Sequence, residues 1–481
     1  MIKSIQQLPS RYEPLIRTLG DKARTTFFEQ PIDLEVIKRL IAQARSSSQS
    51  KWMFVYHPSE SGAGKTTFIH SLAVFLPDQV ESVIRLPEPQ HLRLADVPGF
   101  LSNIPAASKR TTVVNFDQHE SLSYGEDEYR SILVQLNAIL RNRSDLVILW
   151  PVNDLAFAQK LVELEKKIGG MSAFGAQPIY TMQGLARDKF RHVLERIFKV
   201  ANWNLEDAAL EWSELDEVTK GADNIGGYLD KVQAAIAARF DVGALGFTPP
   251  QLVFALSSGK REVRDICRNL RRADSYYLEA SRLLMYTKRS NVAEWWQERN
   301  KDTATGLPYV IALFNAQLLS ISGTAVVYSI LSHGPEDLES VITGVKKNSG
   351  NAKRLIASTE LYKFSIGQEV DSREYGLTAK DETLMAYAAI QSVSKSRHRD
   401  INAAIMQNLV EAGGGFSNIR YEQPAGLAKG LLVDVVAERE GADNFVEMHH
   451  KSENETDNNA VAIYCLTKLK EYAINYRLAK P

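Results

Sequence analysis

The hydrophobic pattern becomes regular at WMFVY, residues 52–56, a short run of aromatic and β-branched side chains that predicts a buried strand. FIHSLAVFL follows with helical apolar spacing. ESVIRLP, TTVVNFD, DLVILWPVND and QPIYTMQG are further strand-like runs, and EDEYRSILVQLNAIL, before DLVILWPVND, is an amphipathic helix. Strands alternating with helices predict a parallel sheet with helices on both faces, with any ligand lying beyond the strand C-termini.

From about residue 188 the pattern turns helical. GTAVVYSILSHG, PEDLESVITGVKK, SGNAKRLIASTELYKF and EYGLTAKDETLMAYA then predict two short helices, a third after a turn, and an extended stretch. The last ninety residues change again. HRDINAAIMQNLVEAG reads as a helix, GGGFSNIRYEQP, GLLVDVVAE and NFVEMHHKS as three strands, and AVAIYCLTKLKEYAINYRL as a closing helix. The expected organisation is a nucleotide-binding core over 1–195, a helical lid over 196–300, a third unit over 301–391 and a small α/β unit over 392–481.

Between the first strand and its helix stands SESGAGKTTF, a match to the phosphate-binding loop in the strand–loop–helix context that gives the motif meaning. Backbone N–H groups of Ser61, Gly62, Ala63, Gly64 and Lys65 can wrap phosphates at the helix N-terminus, with Thr66 and Thr67 beginning the helix. Lys65 would reach the β- and γ-phosphates, and the Thr66 hydroxyl would ligate Mg²⁺. Ser59 stands where the motif has its first glycine. TTVVNFD places Asp117 at the end of an apolar run, where it would hold Mg²⁺ through water. Gln118 follows instead of a glutamate, so Glu120 is the nearest candidate for polarising the attacking water. Asn153 fits a polar sensor of the γ-phosphate or a plain turn. LADVPGF contains a D-x-x-G, but no N-K-x-D follows on a later strand, which points to ATP rather than GTP.

SSGKREVRDICRNLRRA resembles the lid helix of AAA+ ATPases, and with the two phosphate-site motifs this extends the resemblance over roughly residues 30–290, to the initiator or STAND branch. The resemblance implies a γ-phosphate contact from Arg261 or Arg264, and oligomers in which one subunit completes the next one's site. Arg141 and Arg143 are candidates for the completing arginine. The third unit resembles a winged helix, ending in Y-G-L-T-x-K. Lys346, Lys347, Lys353 and Arg354 would face DNA in that family, although AAA+ and STAND proteins also use winged helices for packing.

The α-β-β-β-α order of the final ninety residues resembles the PD-(D/E)xK nuclease core. Independently of that likeness, strand alternation puts Glu447, His449 and Lys451 on one face, and a hairpin pairing brings Asp434 near Glu447. Two carboxylates can hold Mg²⁺ or Mn²⁺, which would activate water at a phosphodiester. The motif's lysine is replaced by His449, with Lys451 two residues on. The site is therefore an active nuclease, an inactive nuclease-like docking module, or an unrelated polar strand.

Composition adds limits. Of 481 residues 44% are hydrophobic and 24% charged, with a net charge of −1, so any nucleic-acid surface is local rather than global. Two cysteines, Cys267 and Cys465, exclude a thiolate zinc site and point to a reducing compartment. The opening MIKSIQQLPSRYEPL lacks an apolar signal core, so a cytoplasmic protein without a membrane segment is expected. The leading expectation is an ATPase controlling a C-terminal metal-dependent nuclease, of the kind found in prokaryotic anti-phage systems, with DNA as substrate and a partner protein in a larger system. The alternatives are an ATP-switched DNA-binding regulator or loader, and a small-molecule kinase.

Overall fold

The computed structural model describes residues 5, 8–9, 11–19, 33–46, 51–58, 62–107, 109–119, 125–169, 177–259, 263–301, 305–370, 380–427 and 430–480. These form two compact units, one of residues 1–203 with 213–235 and one of residues 204–212 with 236–481. Among the described residues no helix is long and apolar enough to cross a membrane.

The first unit holds a five-stranded parallel sheet of β1 (Trp52–Tyr56), β2 (Val80–Arg85), β3 (Thr111–Asn115), β4 (Leu146–Val152) and β5 (Ile179–Thr181), in the order β2-β3-β4-β1-β5. Successive side chains enter opposite layers, as strand geometry requires. Trp52, Phe54, Ile148 and Trp150 pack with Phe116, Leu133, Leu136 and Leu161 on one face. Met53, Val55, Val147 and Leu149 pack with Ile37, Ile41, Phe68 and Leu72 on the other. Both faces being covered explains why these strands read as continuous apolar runs rather than alternating ones. Every strand and helix expected in this region is present. The decisive detail is the order: β4 lies between β1 and β3, so the end of β4 sits beside β1, the strand that leads into the glycine loop.

The second unit departs from the expected division. Its sheet contains β6 (Gln251–Ser258), β7 (Gln317–Ser322), β8 (Ser417–Ala425), β9 (Leu431–Arg439) and β10 (Ala442–Lys451), ordered β7-β6-β10-β9-β8. β6 runs parallel to both β7 and β10, while β8, β9 and β10 form an antiparallel meander. The segments expected as lid, winged helix and nuclease-like unit thus share one sheet. QLVFALSS, read as part of a helical lid, is the central strand, because it is apolar on both faces and both faces are covered. Leu252, Phe254 and Leu256 meet the closing helix Asn458–Asn475 through Cys465, Leu469 and Tyr472. Val253 and Ala255 face a layer containing the helices Gly323–His333 and Asp381–Glu411.

The proposed third helix of a winged helix, Ser349–Ala357, packs in that same layer through Leu355 and Ile356. Lys353 pairs with Glu411 at 3.5 Å and Lys347 with Glu339 at 3.0 Å, so these cations are engaged with carboxylates of this unit. Residues 371–379, which include the Y-G-L-T of the expected wing, lie outside the described residues.

Candidate functional sites

At the C-terminal edge of the first sheet, Gly62 and Gly64 adopt φ of 87° and 85°, the left-handed conformation that side chains with a Cβ disfavour. Gly64 directly precedes the helix Lys65–Phe75, and Phe68 N–H donates to its carbonyl at 2.8 Å. The loop therefore presents a helix N-terminus of the type that binds phosphate. Lys65, although charged, is buried, and its Nζ donates to Asn153 Oδ1 at 2.8 Å. The Thr66 hydroxyl donates to Asp117 Oδ2 at 3.1 Å. The four residues read as nucleotide contacts from three separate stretches of sequence thus meet at one edge. Ala63 is buried against the sheet and Thr67 half-buried in the first helical turn. The hydroxyl–carboxylate pair fits a hard divalent cation, whose remaining oxygen ligands would come from phosphate and water.

The chain reverses after Asp117, with Gln118 at φ 65°. His119 is buried, hydrogen-bonded through Nε2 to the Pro87 carbonyl at 2.8 Å, and burial lowers its pKa, which keeps the ring neutral. Glu120 and Ser61 lie outside the described residues, as does Arg261.

Two features of this edge escaped sequence reasoning. Gly226, at the start of the helix Ile225–Arg239, donates its N–H to the Gly62 carbonyl at 2.8 Å. A Cβ on Gly226 would come to 2.5 Å from the Gly62 Cα, so only glycine allows this approach. The second feature is Asp33, a buried carboxylate that accepts from Tyr180 Oη at 2.5 Å, Gln183 N at 2.8 Å and Gly184 N at 2.9 Å. It fixes the turn beyond β5. The paired glycines of NIGGYL were a visible signal for the first; the second had none.

Arg264, expected as a lid arginine, is engaged with a buried carboxylate. It belongs to the second unit, where its Nε donates to Glu360 Oε1 at 3.3 Å. Arg271 forms a bidentate buried pair with the same carboxylate at 2.9 and 3.0 Å, and Ser320 donates both its N–H and its hydroxyl to it. Two arginines of this basic stretch thus converge on one buried glutamate; burial opposes its ionisation, and Arg271 nonetheless holds its pKa below the ordinary value. Arg143 is likewise engaged, with Asp145 at 2.7 Å and with the Ile104 carbonyl at 3.0 Å. It is a structural clamp rather than a free finger.

In the second unit, the β10 residues divide as alternation requires. Val446 and Met448 enter one layer; Glu447 and His449 face the closing helix. Glu447 is fully buried, accepts from Tyr472 Oη at 2.6 Å, and lies 3.4 Å from Lys468 Nζ. Burial pushes its pKa up to about 7, with Lys468 opposing and Asp434 adding to the rise. Asp434 accepts the Met448 N–H at 2.8 Å, and its pKa too is raised by burial.

The residues proposed for the lysine's role are placed elsewhere. His449 stacks flat on Tyr464, centroids 3.7 Å apart, and burial pushes its pKa down to about 3, so it is a neutral packing group. Lys451 pairs with Glu455 at 3.8 Å. The cation beside the carboxylate is Lys468. Tyr464, Lys468 and Tyr472 recur every four residues and so form one stripe of the closing helix, facing β10. That spacing was legible; the strand it would face was not.

Among the described residues no cluster of three or more His, Cys, Asp or Glu side chains is arranged to hold a metal ion. Asp434 of β9 and Glu447 of β10 are the two carboxylate donors of the candidate site, and further ligands to a cation there would come from water and a substrate phosphate. No protein-family model matches the chain, and no curated protein matches it.

Proposed function

We propose that the chain is an ATP-dependent nucleic-acid-processing protein in which the first unit binds and hydrolyses Mg²⁺-ATP and the second carries a metal-dependent nuclease site acting on DNA. The observation that carries the reading of the first unit is the meeting of Lys65, Thr66, Asp117 and Asn153 at the glycine loop. Lys65 would neutralise β- and γ-phosphate charge, and Asn153 would align Lys65 and sense the third phosphate. The reading of the second unit rests on Asp434, Glu447 and Lys468. A divalent cation bound there supplies an activated water and charge stabilisation at a phosphodiester. Asp434 and Glu447 would hold it and Lys468 would orient the attacking water. ATPase joined to nuclease suggests anti-phage defence by architecture alone, and the AAA+ likeness suggests homo-oligomers.

One observation favours a second reading. Glu447 is capped by Tyr472 and Lys468, and one Asp434 oxygen accepts a backbone N–H, which suits a nuclease-like core that docks DNA without cutting it.

The test is cleavage of plasmid and linear DNA by the purified chain with Mg²⁺ or Mn²⁺, with and without ATP, beside Asp434→Ala, Glu447→Ala and Lys65→Ala. Cutting that disappears in the first two and changes its ATP dependence in the third supports the gated nuclease. ATP hydrolysis without cutting in any condition supports the regulator.

A further inference from the structure

Asp117 Oδ2 receives two groups at once. The Thr66 hydroxyl reaches it at 3.1 Å and Arg85 Nη2 at 3.1 Å. Arg85 is the last residue of β2, in register with Asn115 at the end of β3, so its side chain runs along the sheet's C-terminal edge toward the phosphate loop. Both members of the pair are largely shielded, with Arg85 24% and Asp117 16% exposed. The guanidinium therefore stands at the oxygen through which Asp117 would hold a nucleotide-bound cation.

We propose that Arg85 is an arginine supplied in cis to the bound nucleotide: it occupies Asp117 until Mg²⁺ arrives, and then engages the γ-phosphate. The proposal rests on nucleotide binding by the first unit. A permanently charged guanidinium and a divalent cation cannot share one carboxylate oxygen without mutual repulsion, so arrival of one weakens the hold of the other. Once released, a planar fork of N–H donors beside the loop fits phosphate oxygens bidentately. An arginine in that place stabilises charge in phosphoryl transfer. The competition gives Asp117 a partner in both states, and the carboxylate is never left buried and alone.

The test measures binding of ATP and ADP carrying a ribose fluorophore to the full chain across a Mg²⁺ titration, for wild type, Arg85→Gln and Arg85→Lys. In Arg85→Gln the Mg²⁺ concentration at half-effect for triphosphate binding should fall by about threefold, because the competing cation is gone. At saturating Mg²⁺ the preference for triphosphate over diphosphate should drop by about tenfold, with diphosphate affinity unchanged. Arg85→Lys keeps the charge but not the fork, and should retain the Mg²⁺ dependence while losing the triphosphate preference. That variant carries the test if Arg85→Gln does not fold by circular dichroism. Unchanged Mg²⁺ dependence and unchanged preference in both variants would overturn the proposal and leave Arg85 a brace for an edge strand. A wild type that binds neither nucleotide at any Mg²⁺ concentration would instead overturn the nucleotide reading itself.

Discussion

The Tyr472 hydroxyl donates to Glu447 Oε1 across 2.6 Å, inside a layer where neither side chain meets solvent. With its pKa pushed up to about 7, Glu447 binds a proton more tightly in the folded chain than a free glutamate does. The stability linked to that proton is complete below about pH 4.5 and is lost as pH rises through about 7, by about 3 kcal/mol. Asp434, also raised, acts in the same direction. Thermal melts between pH 5 and 8 should show the decline, and Glu447→Gln should flatten it. An equal slope in the variant would assign the pH dependence to other groups.

Lys468 and Lys451 separate cleanly as candidates for the cation of the proposed nuclease site. Removing a fixed charge that stabilises developing charge costs about 10²–10³ in rate. Lys468→Ala should therefore abolish nearly all cutting, and Lys451→Ala, a partner of Glu455, should leave it within about threefold of wild type. Initial rates on supercoiled DNA decide between them; the reverse ranking would return the role to Lys451.

Asn153 accepts from Lys65 Nζ and so, on the proposed function, positions that lysine at the nucleotide. Losing a hydrogen bond to a charged group weakens an arrangement by about 1.5–3 kcal/mol. Asn153→Ala should slow ATP hydrolysis by about tenfold or more, since about 1.4 kcal/mol in the barrier is a factor of ten. Equilibrium binding of ATP should change much less. A variant with weakened binding and normal turnover would assign Asn153 to ground-state affinity.

Gly226→Ala forces a methyl group against the Gly62 backbone, and overpacking of this kind costs about 1–3 kcal/mol. The melting temperature of the first unit should drop and nucleotide affinity with it. Gly99→Ala, whose added Cβ would meet nothing within 4 Å, is the control and should melt at or slightly above wild type, since alanine favours the helix it sits in.

Glu360 is the acceptor for Arg271, Arg264 and Ser320 in the second unit. Glu360→Gln leaves the Arg271 charge buried without its counter-charge, at a cost of about 3–5 kcal/mol. Urea denaturation of the variant should show a midpoint well below wild type.

How much of this was legible depended on where each partner came from in the chain. The phosphate loop was readable because its glycines, Lys65 and Thr66 are consecutive, and Asp117 and Asn153 announce themselves at the ends of apolar runs. Arg85 also ends such a run, but its approach to Asp117 depends on the pairing of β2 with β3, which no local pattern encodes. In the second unit the three C-terminal strands were legible from their turns. β6 and β7 were not, because short doubly buried strands carry no alternation and lie between helices. The same reason hid Glu360, the partner of Arg264, and Lys468, the cation beside Glu447: each is supplied by a distant segment.

The parallel pairing of β6 with β10 has a consequence for how the molecule comes into being. Asn444 lies opposite Gln251 and Lys451 opposite Ser258, so the middle of the second sheet closes only after about two hundred further residues have followed β6. Until then β6, with apolar side chains on both faces, waits beside β7 with an open edge, the condition in which strands recruit the wrong neighbour. Contacts this distant in sequence also slow folding, because a long loop must close before they form. A fragment restricted to residues 392–481 would lack the strand against which β10 is built and would offer that edge to other copies.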